Sequence, residues 1–238
     1  MRDIIMGEFF GTMLLIILGD GVVANVLLNK SGQQGAGPVQ ITIAWGLAVL
    51  MPATMFGALT GAHFNPALTI ALAFNGAIGW NVVPTYIISQ ILGAMVGAFI
   101  VFALFKDHMD ATSDDPETVR ACFCTAPSIP NTGRNLLSEI VGTFLLVAFI
   151  LGFANVDGAA ATGVDKLYVF GIIVSIGMSL GGLTGYAINP ARDLGPRIAY
   201  AILPIKNKTD ANWGYGWIPV VGPIIGGIIA VLFFNFVF

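Results

Sequence analysis

Six apolar stretches, near residues 4–28, 38–59, 82–105, 135–154, 166–183 and 214–237, are each long enough to cross a bilayer, which takes about 20 predominantly apolar residues. Lipid offers no water to backbone N–H and C=O groups, so stretches of this length resolve as spanning α-helices. The charge content agrees: 10% of the 238 residues are Asp, Glu, Lys or Arg, against roughly 25% in a soluble domain. A net charge of −3 without a basic run removes the electrostatic footprint that a nucleic-acid partner requires. The first stretch is too long for the apolar core of a signal peptide and lacks a cleavage site, so it is expected to be a retained span.

Two further apolar pieces, 66–75 and 190–201, are too short to cross, and each follows Asn-Pro. Asn is a favoured helix N-cap and Pro a favoured first helical residue, so each piece predicts a half-helix beginning at its motif. The stretch 106–134 is rich in Asp, Pro, Ser and Thr and shows no helical period, which predicts a loop joining two halves. Within it, Cys122 and Cys124 are one residue apart, too close for a mutual disulfide. They are expected to be free thiols, and with His63 and His108 as the two histidines no metal cluster is implied.

The halves are repeats. "GEFFGTMLLIIL" (7–18) aligns with "SEIVGTFLLVAF" (138–149), pairing Glu8 with Glu139, and "GALTGAHFNPA" (57–67) aligns with "GGLTGYAINPA" (181–191). A weaker match sets Gly93 over Gly222 and Gly97 over Gly226. Each half carries three spans, so the second enters from the opposite face and is inverted relative to the first, which brings equivalent groups to the bilayer midplane. The expected division is a first repeat 1–105, a connecting extracellular loop 106–134 and a second repeat 135–238, with half-helices 66–75 and 190–201.

Irregular backbone at membrane depth is tolerated where it is buried in protein or lines a water-filled cavity. The approaches "GAHF" and "GYAI" are such segments, so His63, Phe64, Ala187 and Ile188 are candidate pore-lining residues whose carbonyls would face a lumen. Asn65, Pro66 and Ala67, with Asn189, Pro190 and Ala191, would meet at its centre, the two Asn side chains offering N–H donors. Each helix N-terminus carries roughly half a positive charge, and two converging on one point oppose cations while leaving neutral molecules unaffected. Glu8 and Glu139 are expected to accept backbone N–H bonds from the re-entrant segments and pin them; a proton relay is the alternative. His63 is either a pore-mouth group or a satisfied loop histidine. Arg192 stands where the first half has Leu68, an asymmetry that predicts a selectivity element on one side; an Arg snorkelling to the interface is the alternative.

The doubled "HFNPA" and "INPAR", the paired Glu8 and Glu139 and the three-plus-three arrangement resemble the major intrinsic protein (aquaporin) family over the whole chain. Within it the chain is similar to the aquaglyceroporin branch of bacterial glycerol uptake facilitators. The resemblance implies an all-α membrane protein with six transmembrane helices, two re-entrant half-helices and an inverted 3+3 repeat. It implies a selectivity filter of Trp45, Gly177, Tyr186 and Arg192, with Gly177 leaving room that water-selective members fill with His. Asp193, Arg197 and Pro219 also match glycerol facilitators, whereas Tyr186 stands where these usually have Phe, which puts the preferred solute in question. Trp45 and Tyr186 would form an apolar corner facing Arg192, suiting an amphipathic molecule such as glycerol.

The expected function is a passive channel for small neutral solutes, glycerol with some water, set in the lipid bilayer of the cell membrane. It needs no cofactor and is not an enzyme, since no Ser/His/Asp constellation lies among the spans. The alternatives are the same channel used for protonated lactic acid, urea or dihydroxyacetone, and a secondary transporter, which shares inverted repeats and midplane half-helices. The resemblance further implies a homotetramer with both termini cytoplasmic. Counting cations points the other way, since that topology puts Lys30, Lys106, Arg120, Arg134, Arg197, Lys206 and Lys208 outside and leaves Arg2 and Lys166 inside.

Overall fold

The structure, a computed structural model, describes residues 1–238 and is all helical. Its elements are α1 (Arg2–Leu27), α2 (Pro38–Thr60), α3 (Pro66–Phe74), α4 (Val83–Ala111), α5 (Pro116–Ala121), α6 (Thr132–Phe153), α7 (Ala159–Thr162), α8 (Val164–Thr184), α9 (Pro190–Ile202), α10 (Trp213–Gly216) and α11 (Ile218–Val237). Six helices are long and apolar enough to cross a membrane: α1, α2, α4, α6, α8 and the combined α10–α11. Large apolar side chains such as Met55, Leu104 and Phe149 are exposed on their outer faces. That outward apolar surface is what lipid requires, and the chain is a multi-pass membrane protein.

The helix packing maps onto itself when the halves are exchanged. α1 packs on α4 as α6 packs on α11, α1 on α2 as α6 on α8, and α4 on α9 as α3 on α11, while α2 meets α8 across the centre. Glycines set the closest of these approaches. A Cβ on Gly93 would stand 2.1 Å from the Phe9 carbonyl oxygen, and one on Gly226 would stand 2.3 Å from that of Ile140, so in both halves helix backbone rests directly on helix backbone.

The two short helices start where the sequence places them, at Pro66 and Pro190, and end at Phe74 and Ile202. Each is preceded by a span that stops at a left-handed glycine, Gly61 at φ +81° after α2 and Gly185 at φ +77° after α8. That residue type ends a helix without a Cβ penalty and turns the chain back toward the midplane.

The expectation of a structureless 106–134 is corrected. α4 continues through Ala111, helped by an ion pair between Lys106 and Asp110 one turn apart. Asp115 then caps α5 by accepting from the Thr118 N–H, with Pro116 at the first helical position. Local capping and pairing, which need no apolar period, build these turns. Cys122 and Cys124 are free and buried just after α5, where burial pushes the Cys124 thiol up to about 12.

Candidate functional site

The re-entrant backbone is strained in the same way in both halves. Ala62 and Phe64 have φ of 53° and 48°, and Tyr186 and Ile188 have φ of 37° and 42°. None is glycine, and left-handed backbone at such residues costs on the order of 1–3 kcal/mol each unless the surroundings impose it. Glu8 and Glu139 impose it. Glu8 accepts from the backbone N–H groups of His63 at 3.1 Å and Phe64 at 2.8 Å, and from the Thr60 hydroxyl at 2.6 Å. Glu139 accepts from Ala187 at 3.0 Å, Ile188 at 2.8 Å and the Thr184 hydroxyl at 2.7 Å. Both carboxylates are fully buried, so these donors replace the water they have lost.

Asn65 and Asn189 cap the half-helices, each side-chain oxygen accepting from the next two free backbone N–H groups, Ala67 and Leu68 in one case and Ala191 and Arg192 in the other. Their nitrogens cross to the opposite half. Asn65 Nδ2 donates to the Ile188 carbonyl and Asn189 Nδ2 to the Phe64 carbonyl, each at 2.8 Å. The expectation that the Asn side chains offer N–H donors and that the approach carbonyls face a lumen is thereby refined. One N–H of each Asn and one lone pair each of the Phe64 and Ile188 carbonyls lace the halves together, and the second N–H of each Asn makes no bond within the protein.

A cavity of about 440 Å³ runs past this junction. At one end it is bordered by Gly57, Asp165 and Lys166, and toward the other by Trp45, Tyr186 and Arg192, with Asn65 and Asn189 between. Gly57 and Trp45 are twelve residues apart on α2, about 18 Å along the helix. His63, Phe64, Ala187 and Ile188 line it as well. His63 is both pore-lining and satisfied: its Nδ1 lies 3.1 Å from the Thr69 hydroxyl and its ring stacks on Tyr86 at 4.5 Å.

Arg192 lies over the Trp45 ring, its Cζ 4.2 Å from the centroid, at cation–π distance. Gly177 is not itself a wall of the cavity. A Cβ there would lie 2.5 Å from Thr42 Cγ2 and 2.9 Å from Tyr186 Cζ, and one on Gly181 would lie 2.7 Å from Tyr186 Cδ1. The space expected for a carbon chain at Gly177 is therefore occupied by the Tyr186 ring, seated on two glycines one turn apart, and the opening lies on the ring's other side.

Asp193 and Arg197 stand behind this region, both fully buried, joined by a two-point ion pair with Nε–Oδ1 2.7 Å and Nη2–Oδ2 3.0 Å. Asp193 also accepts from the Thr125 N–H and hydroxyl, and Arg197 donates to the carbonyls of Thr125, Ala211 and Asn212. Arg197 is thus no loop cation and leaves the charge count that argued for a reversed orientation. The mouth residues Asp165 and Lys166, paired at 3.1 Å, and a buried Asp20 beside Arg192 were not anticipated. A lone acid within an apolar span, "LGDG", was the available signal for the last.

The chain matches the Major intrinsic protein family model over residues 1–234. It is 53% identical to the probable glycerol uptake facilitator protein of Thermotoga maritima, covering 99% of this chain and 100% of that one. It is 38% identical to the D/L-lactic acid transporter of Lactiplantibacillus plantarum, covering 97% and 96%. Among solved structures it is similar to the aquaglyceroporin from Plasmodium falciparum, with a TM-score of 0.85 and 31% identity over 99% of this chain and 96% of that one. Matches of this extent, on a fold with paired half-helices laced at their N-termini, show that the chain belongs to the major intrinsic protein family.

Proposed function

We propose that this protein is a passive channel for small uncharged solutes, chiefly glycerol, with some water. The observation that carries the reading is the cavity itself, which leads from the corner of Trp45, Tyr186 and Arg192 to the asparagine pair. Two aromatic faces accept the carbon edge of a polyol while the guanidinium and backbone carbonyls bond its hydroxyls. The two half-helix N-termini add positive potential at the narrow centre, which cations do not cross. Trp45, Gly177, Tyr186 and Arg192 are the filter in this proposal, Gly177 by seating Tyr186. The facilitator named among the relatives supports glycerol as the solute.

In the same proposal residues 1–105 and 135–238 form the two repeats and 106–134 the extracellular connection. Both termini are cytoplasmic, four copies assemble with one pore each, and transport rather than catalysis is the activity. Stopped-flow light scattering on proteoliposomes tests it. Glycerol permeation well above empty liposomes is expected, and a Gly177→Phe variant, which drives the Tyr186 ring into the opening, should lower it. Wild-type flux equal to that of empty liposomes defeats the proposal.

A second cargo, protonated lactic acid, has its own support. One relative, similar over nearly the whole of this chain, is named for lactic acid. The neutral acid alone should pass the positive centre, so lactate flux should rise as pH falls through the carboxyl pKa. Flux unchanged between pH 7 and pH 4 excludes that cargo.

A further inference from the structure

Asp20 lies on α1, 1% exposed, with Oδ1 3.6 Å from Arg192 Nη1 and Oδ2 without any protein partner. Its neighbour Gly19 lies against the Trp45 ring, since a Cβ there would stand 2.3 Å from Trp45 Cζ3. That ring is the surface over which the Arg192 guanidinium lies. Two consecutive residues of α1 therefore back the filter, Gly19 behind its aromatic face and Asp20 beside its cation. The other buried acid nearby, Asp193, is committed to Arg197 and Thr125.

The half-helix N-termini and Arg192 are all positive toward the cavity. Such an arrangement refuses cations, yet it would collect anions, because an uncompensated arginine in a narrow, water-poor passage is an anion site. Some negative group must offset Arg192 if the channel is to pass only neutral molecules, and Asp20 is the carboxylate in reach. We propose that Asp20 is a positioning and specificity residue. It fixes the guanidinium against Trp45 and cancels its charge, so that anions are rejected while the remaining N–H groups serve solute hydroxyls. The proposal rests on the channel reading given above.

The test uses the full-length protein in liposomes and compares wild type with Asp20→Asn, Asp20→Glu, Arg192→Leu and the Asp20→Asn/Arg192→Leu double variant. Nitrate flux is measured beside water and glycerol permeation. Wild type should pass nitrate at the level of empty liposomes. Asp20→Asn should raise nitrate flux about tenfold, as expected for unmasking one charge at a narrow site, and lower the glycerol-to-water ratio. Asp20→Glu should restore rejection. On the Arg192→Leu background the Asp20 substitution should add no nitrate flux. A merely structural Asp20 would lose every flux on substitution and would not gain one. The proposal is overturned if folded Asp20→Asn matches wild type in nitrate flux and solute ratio, or if its effect persists without Arg192. It is also overturned if wild type itself conducts nitrate, a measurement that needs no variant. Absence of wild-type glycerol flux would instead remove the channel reading, so the two failures are distinct.

Discussion

The half-helices α3 and α9 begin alike and then diverge. Both are capped by an Asn whose amide crosses to the other half, both follow two or more left-handed residues, and both are pinned by a buried glutamate. Beyond the motif, α3 continues with Leu68, Thr69 and Ala73, where α9 has Arg192, Asp193 and Arg197. In the first half Thr69 joins a network without a cation, accepting from Gln90 at 3.0 Å and facing His63. In the second, a charged cluster ties α9 to Thr125 in the connection and to Ala211 and Asn212. What the halves share holds strained backbone at the midplane, and what they do not share supplies charge at one end of the cavity. A symmetric scaffold thus carries a one-sided filter.

The sharpest way to break that comparison is to remove a charge that only the second half has. Arg197→Ala leaves Asp193 buried without its counter-ion, which costs about 3–5 kcal/mol in a site of this kind. Thermal unfolding in detergent should drop steeply, whereas Ala73→Ser at the equivalent place in the first half should scarcely move it.

Next in size are the shared glutamates. Glu8→Gln turns one acceptor oxygen into a donor that faces N–H groups, with a cost of about 2–3 kcal/mol when charge-assisted bonds are lost. Glu8 serves four donors, Gln90 Nε2 at 2.7 Å being the additional one, and Glu139 serves three. Gln90 aligns with Pro219, which has no such donor. Melting temperatures should therefore fall more for Glu8→Gln than for Glu139→Gln, and the reverse order would show that donor number does not rank the two pins.

A last test, read as a labelling rate and not as stability, probes the connection that the second half uses. The thiolate is the reactive form of a cysteine, and burial raises the Cys124 thiol to about 12. At pH 8 maleimide labelling of the folded protein should be slower than that of an exposed thiol by a factor on the order of 10³. Labelling should accelerate in the Arg197→Ala variant if the Asp193–Arg197–Thr125 cluster seals this segment. Fast labelling of wild type would show the connection to be open.

Much of the site was legible because repetition exposed it. The pairing of Glu8 with Glu139 and of Asn65 with Asn189 locates the pins and the caps, since an acid in a span and an Asn-Pro at a span's interruption each need a polar partner. The added helix α5 was hidden by the absence of an apolar period, although Asp115 and Pro116 form a start signal of their own. What fills the room beside Gly177 was not legible, because a gap in the sequence does not say which neighbour enters it, and Tyr186 does.

The sequence by itself determined the membrane class, the six spans, the two half-helices and the residues at their junction. These follow from run length, capping chemistry and the cost of polar groups in lipid, all local properties. Only the tertiary structure decided that the asparagines lace each other's loops, that Phe64 and Ile188 sit in left-handed backbone, and that Asp20 on the first helix faces Arg192 on the ninth. Those depend on which of many distant groups come within 4 Å, and packing between elements, not any local pattern, sets that distance.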